Sequence, residues 1–165
     1  MRKEIKTAQL QIRVSAEEKR LIAQLALRAG KDMSSFVLER VLGAHESRIQ
    51  DAMRLVGNEE TRSYGYAELN DFLVSLSTME LRRAVANRPF DSLPAEVANY
   101  VTAMIEQACA RAGVEVPAWT QKIKPLDTPV FGSQLKGLRL HLLANSPAPF
   151  KRRNVFIDTS IGGRV

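Results

Sequence analysis

The feature that most constrains this 165-residue chain is a strict alternation of polar and apolar residues near its N-terminus. Residues 9–14 read Gln-Leu-Gln-Ile-Arg-Val, which is the two-residue period of a β-strand with one apolar face. The patterns that follow are helical and too few to cover that face. A strand left unpaired would expose a backbone edge that invites aggregation. The strand therefore needs a partner, and the alternative is a half-exposed edge whose polar residues only face water.

Two helices are predicted directly after the strand. Ser15 is a good N-cap, and Glu18 completes a capping box three residues later. Gly30 is placed to end the first helix in a left-handed conformation. Ser34 is predicted to cap a second helix, whose spacing of apolar residues continues to Gly57. The order is therefore strand, helix, short glycine turn, helix.

The sequence predicts a mostly α-helical protein of two parts. Residues 57–66, which read GNEETRSYGY, hold two glycines and no aliphatic core residue, so we place a linker there between domains at 1–56 and 67–165. In the second part, helices are predicted from Tyr66 to Leu76, from Ser77 until Pro89 ends the helix, and from Pro94 to Ala112 with Ser92 as its cap. A short helix is expected around residues 133–143. The remaining segments are rich in proline and aromatic residues and are expected to be irregular.

Charge and composition narrow the class of protein. No stretch is apolar enough to span a membrane, no secretory signal is visible, and the single Cys109 fits a reducing, cytoplasmic compartment. Residues 1–48 contain ten Lys and Arg against six Asp and Glu, residues 49–100 five against eight, and residues 101–165 nine against four. Two basic ends thus flank an acidic middle. Such basic regions attract polyanions, and nucleic acid is the first candidate.

Residues 7–42 resemble the ribbon-helix-helix family of bacterial DNA-binding proteins, and within it the antitoxin branch. The resemblance is carried by Ile12-Arg13-Val14-Ser15, Glu17-Glu18-Lys19, Leu21-Ile22, Ala29-Gly30 and Ser34-Ser35-Phe36-Val37. In this family two chains pair their strands antiparallel, and four helices cover the apolar face of the ribbon. The resemblance thus implies a homodimer or a higher assembly.

The same resemblance implies which residues meet the double-stranded DNA operator. The polar face of the strand would read bases in the major groove through Gln9, Gln11 and Arg13. The start of the second helix would hold a phosphate at Ser34 and Ser35. Lys31 and the basic lead-in of Arg2, Lys3 and Lys6 would add phosphate contacts. The alternatives are a solvated turn for Lys31 and an ordinary frayed terminus for the lead-in. The dimer core would contain Leu10, Ile12, Val14, Leu21, Ile22, Leu25, Phe36, Val37 and Val41.

The C-terminal half resembles a bacterial cassette of unassigned activity that often neighbours genes of nucleotidyltransferase-like toxins. The matching residues are Pro117, Trp119, Pro129, Phe131, Ser146-Pro147, Phe150, Arg153-Asn154, Phe156-Ile157 and Arg164-Val165. The resemblance implies a cognate toxin protein as partner. The residues that would contact it are Trp119, Phe131, Phe150, Arg152, Arg153 and Phe156. Equally, the aromatic side chains can form a local core, and the basic run 151–153 can be solvated.

Nothing in the sequence predicts an enzyme, a cofactor or a metal site. The two histidines, His45 and His141, lie far apart, and His141 among leucines is expected to be partly buried. No metal-binding spacing involves Cys109, and Gly162-Gly163 lacks the helix and lysine of a phosphate-binding loop.

The sequence thus predicts a dimeric, sequence-specific transcriptional regulator, in particular an autoregulating antitoxin that neutralises its toxin through the C-terminal half. Two other functions remain open. One is a protein-interaction adaptor that uses the N-terminal fold only for assembly. The other is a repressor whose C-terminal half senses a small ligand.

Overall fold

The structure is a computed structural model that describes residues 11–42 and 44–158, the side chains of residues 42–46 excepted. The chain forms two compact units, residues 1–44 and residues 45–165. Gln9, Leu10, Arg2, Lys3, Lys6, Arg164 and Val165 lie outside the described residues, as does the side chain of His45. The described part is mostly helical, as predicted from the sequence. None of its helices is long and apolar enough to cross a membrane.

The N-terminal unit contains α1 (Ala16–Arg28) and α2 (Met33–Leu42), which pack on each other. Both halves of the predicted capping box are present, because Ser15 Oγ accepts from the Glu18 amide and the Glu18 carboxylate accepts from the Ser15 amide. Gly30 has φ +65°, which confirms the left-handed position after α1. Residues 11–15 have no regular structure, so the predicted strand is not seen in the described residues. The physical reason is that a strand exists only with a ladder partner.

The start of α2 corrects one prediction. The helix begins at Met33, one residue before the predicted cap Ser34. Asp32 acts instead, since its Oδ1 accepts from the Ser35 amide at 2.9 Å. Aspartate is as good an N-cap as serine, and the sequence offered both within three residues. The helical pattern predicted to run to Gly57 is divided between α2 and a separate α3 (Ala44–Gly57).

Helices α3 and α4 (Arg62–Ser75) approach each other closely near their connection, where the sequence predicted a linker, and both contribute to one buried cluster. Ile49, Met53 and Val56 of α3 join the same buried cluster as the second-half helices. Gly65 explains the composition of the predicted linker: a Cβ built there would lie 2.6 Å from the Val56 nitrogen. Glycine is therefore needed here because the two helices approach each other closely. The sequence analysis had interpreted this glycine as a sign of a flexible linker.

Two further helices contribute to the core of the C-terminal unit. In α5 (Thr78–Ala84), Ser77 and Glu80 form the predicted capping box. The helix ends at Ala84, well before Pro89. In α6 (Ala95–Ala112), the N-cap position is Pro94 and not the predicted Ser92, whereas Gly113 has the expected positive φ of +64°. Helix α6 is central, since ten of its residues are buried, Cys109 among them.

The C-terminal segment folds back onto α6. After a 3-10 helix at Ala118–Lys122, the short strand β1 (Val130–Phe131) pairs in parallel with β2 (Val155–Phe156). A 3-10 turn at Lys136–Leu138, α7 (Arg139–Asn145) and α8 (Ala148–Arg152) connect the two strands. Only the region of α7 was predicted as helix. The side chain of His141 on α7 is 53% exposed, with Nε2 3.7 Å from an Asp158 oxygen, so about half of it is buried, in line with the expected partial burial.

Candidate nucleic-acid interface

The residues predicted to read DNA lie at the start of the described chain. Gln11 and Arg13 are exposed, and the apolar side chains that alternate with them, Ile12 and Val14, are also exposed at 60% and 43%. Apolar side chains so exposed are unstable in water when they lie together on one face. Within one chain, therefore, both the polar and the apolar sides of this stretch are open to a partner.

The predicted dimer core divides into two groups in the single chain. Phe36 is buried, together with Ala26, which was not among the predicted core residues. Ile22 and Val37 are partly exposed, whereas Leu21, Leu25 and Val41 are exposed, Val41 at 63%. In the described part of the N-terminal unit, only Ala26 and Phe36 are buried. So small an interior does not hold two helices together in water.

The start of α2 already holds an anion. The Asp32 carboxylate accepts from the Ser35 amide, and its hydrogen bonds with Ser35 lower the pKa of Asp32. The carboxylate is therefore charged near neutral pH and occupies the position where a phosphate was predicted. A phosphate at Ser34 and Ser35 would have to share or displace it. The sequence analysis assigned the cap to a serine and therefore did not identify the carboxylate of Asp32 at this position.

Lys31 is the cation nearest this turn, and it has a partner inside the unit. Its Nζ forms an ion pair with the Glu39 carboxylate on α2. Both side chains are exposed, so the pair is weak and can open for a stronger anion. Arg40 lies over the ring of Phe36, with the guanidinium carbon 5.3 Å from the centroid. Neither arrangement prevents a later contact with phosphate.

The residues predicted to contact a protein partner are mostly engaged within the C-terminal unit. Phe150 and Phe156 are buried. Half-buried Trp119 donates from Nε1 to the Val85 carbonyl at 2.9 Å, and Phe131 stacks on Phe156 at 5.3 Å. These contacts favour the local-core interpretation over pockets on a partner. Of the six predicted residues, Arg152 alone is fully exposed.

The clearest difference from the sequence analysis concerns Arg153, which was predicted either to contact a protein partner or to be solvated. It is 5% exposed, and its guanidinium donates to both carboxylate oxygens of Glu106 on α6, to Asn99 Oδ1 and to the carbonyls of Thr120 and Ile123. The shortest of these contacts is 2.6 Å, from Nη2 to Glu106 Oε1. Arg153 therefore fastens the C-terminal segment to α6. The sequence did not predict this ion pair, because Arg153 and Glu106 lie 47 residues apart and no local pattern connects them.

Comparison with known proteins gives one match. The model of the NikA-like family, described as mobilization protein NikA, matches residues 4–61, about a third of the chain. No curated protein and no solved structure matches the chain. The match covers α1, α2, α3 and the stretch that resembled ribbon-helix-helix proteins. Residues 4–61 are therefore similar to the NikA-like mobilization protein family, and not specifically to antitoxins.

Proposed function

We propose that the chain is a dimeric DNA-binding protein that acts at an origin of transfer during plasmid mobilisation. The observation that carries the proposal is the open N-terminal unit, whose predicted strand and helices leave Ile12, Leu21 and Val41 in water. The match of residues 4–61 to a mobilization protein family supports it and directs the DNA target away from a toxin operon.

A second copy is the partner that satisfies this unit. Pairing the stretch around Ile12 with its own symmetry mate gives each strand a backbone partner, and one apolar face then meets an identical face. Burying the exposed leucines and valines of both copies provides about 25 cal/mol for each Å² removed from water. A two-fold dimer also presents two copies of Gln11 and Arg13 side by side.

The paired polar faces suit the major groove of DNA. The groove admits a two-stranded ribbon, and Arg13 can donate to guanine O6 and N7 while Gln11 pairs with adenine. Phosphates would be held at the start of α2, where Lys31 exchanges Glu39 for the nucleic acid and the phosphate shares or displaces the capping carboxylate of Asp32. The base contacts would determine which DNA sequence is bound, and the phosphate contacts would fix the position of the protein along the duplex.

The antitoxin function predicted from the sequence gains no support from these comparisons. The residues expected to meet a toxin are largely used inside the C-terminal unit, Arg153 above all. The mobilisation function requires no toxin. The proposed DNA contact lies entirely in the N-terminal unit, so it does not define what the C-terminal unit does.

Binding to matched duplexes tests the proposal. A fluorescent duplex from the origin of transfer of the element that encodes the chain is compared with a scrambled duplex of equal length and composition, by anisotropy at several salt concentrations. We expect a preference of at least 10³-fold for the origin and a linear fall of log affinity with log salt. Equal affinity for both duplexes would contradict the proposal.

A further inference from the structure

A pocket of about 420 Å³ lies between α4 and α6 in the C-terminal unit. Its walls come from residues spaced three or four apart, which places them on one side of each helix. The principal lining residues are Tyr66, Asn70 and Leu73 from α4 and Tyr100, Met104 and Gln107 from α6. The volume falls in the range that small-molecule sites occupy in proteins.

Aromatic rings form one wall of the pocket. Tyr66 and Tyr100 stack with centroids 4.1 Å apart, and Phe150 meets Tyr100 edge-on at 5.4 Å. Ile157 of the C-terminal segment also lines the space. Burial raises the pKa of Tyr100 to about 12, so its hydroxyl is neutral at physiological pH. The rings fix one another, and the wall is thus formed before any ligand arrives.

Two carboxamides give this mainly apolar space its polar character. Asn70 and Gln107 both line the pocket, and both residues are partly exposed. Their carboxamides are therefore accessible to water or to a ligand. Each amide can donate and accept.

The charges at the pocket cancel. Arg111 and Asp158 bring one charge of each sign to the lining, and the other lining side chains are neutral. A charged ligand would lose its hydration against the apolar walls without an unbalanced counter-charge to replace it. The composition of the walls therefore selects against ions.

We propose that this pocket binds a small, uncharged molecule with a planar ring and an amide-like hydrogen-bonding group. The ring would lie against Tyr100 and Phe150, and the polar group would exchange hydrogen bonds with Asn70 and Gln107. The site is independent of the proposed DNA contact, because all of its residues belong to the C-terminal unit.

Benzamide is the probe, with benzoate and benzamidine as charged molecules of nearly the same shape. The full chain is labelled at its methionine methyl groups, and NMR shifts are followed during each titration. We expect a saturable shift at Met104, which lines the pocket, and none at Met79, which is 75% exposed on α5. Benzoate and benzamidine should bind at least tenfold more weakly. A charged probe that binds as well as benzamide would overturn the proposed ligand class.

Matched variants locate the binding. Ala67→Trp fills the pocket from its exposed rim and should abolish the saturable Met104 shift, whereas Ala110→Trp, exposed on α6 and outside the pocket, should preserve it. Gln107→Leu should weaken benzamide about fivefold, the worth of one hydrogen bond. Should Ala67→Trp not fold, Gln107→Leu and the charged probes still decide. No saturable shift in the wild-type chain, or an unchanged one in Gln107→Leu, would overturn the site.

Discussion

The two units of the chain differ in how far each one completes its own interior. In the described part of the N-terminal unit, Ala26 and Phe36 are buried, and apolar residues such as Leu21 and Val41 lie in water. The C-terminal unit buries a continuous cluster from Ile49 to Ile157 and satisfies its buried charge, Arg153, in full. Within the described residues, one unit thus buries a continuous core, and the other leaves most of its large apolar side chains exposed. The difference teaches that exposure can mark an interface rather than a poor fold.

The largest effect should come from the buried ion pair of the complete unit. Arg153→Ala leaves Glu106 buried without its partner and should lower the free energy of unfolding by about 3–5 kcal/mol. Chemical denaturation followed by circular dichroism measures it. Arg152→Ala, its exposed neighbour, is the control and should change stability by less than about 0.5 kcal/mol. Equal losses for the two variants would mean that the buried network does not stabilise the unit.

Substitutions in the N-terminal unit should change the self-association of the chain. Val41→Lys places a charge in the proposed dimer core and should weaken self-association by about 2–3 kcal/mol, while the C-terminal unit keeps its stability. Leu27→Lys is the control, since Leu27 is 80% exposed and does not belong to the predicted dimer core. Analytical ultracentrifugation over a dilution series gives both constants. A Val41→Lys chain that associates like wild type would contradict the assigned dimer face.

Substitutions of a base-contacting residue and of a phosphate-contacting residue should affect DNA binding in different ways. Arg13→Ala should lose about 1–3 kcal/mol on the origin duplex and much less on a scrambled one, because the lost contact is to a base. Lys3→Ala should weaken both duplexes alike if that lysine contacts phosphate. Anisotropy titrations at one salt concentration compare the four values. Parallel losses for Arg13→Ala on the two duplexes would show that Arg13 does not read sequence.

The smallest effects should come from the two capping boxes, one in each unit. Ser15→Ala and Ser77→Ala each remove a hydrogen bond at a helix start and should cost about 1 kcal/mol. The Ser77 loss should appear in denaturation of the C-terminal unit at any protein concentration. The Ser15 loss should appear in the dimerisation constant. If Ser15→Ala changed only the concentration-independent transition, the comparison between the units would fail.

Local signals in the sequence predicted local structure well. The capping boxes at Ser15 and Ser77 and the glycines at 30 and 113 are confirmed, since each depends on residues within one turn. The linker at 57–66 was predicted from composition, and that composition instead serves the close approach at Gly65. The pairing of Arg153 with Glu106, the parallel β1–β2 pair and the α4–α6 pocket join residues distant in sequence. No periodicity encodes such contacts.

Sedimentation equilibrium of the full, unmodified chain tests the central claim most directly. The claim is that the N-terminal unit is half of a structure that a second copy completes. The account predicts a mass of two chains, or an even multiple, that falls towards one chain only on strong dilution, together with loss of DNA binding over the same range. A folded monomer at every concentration that still binds the origin duplex would contradict it.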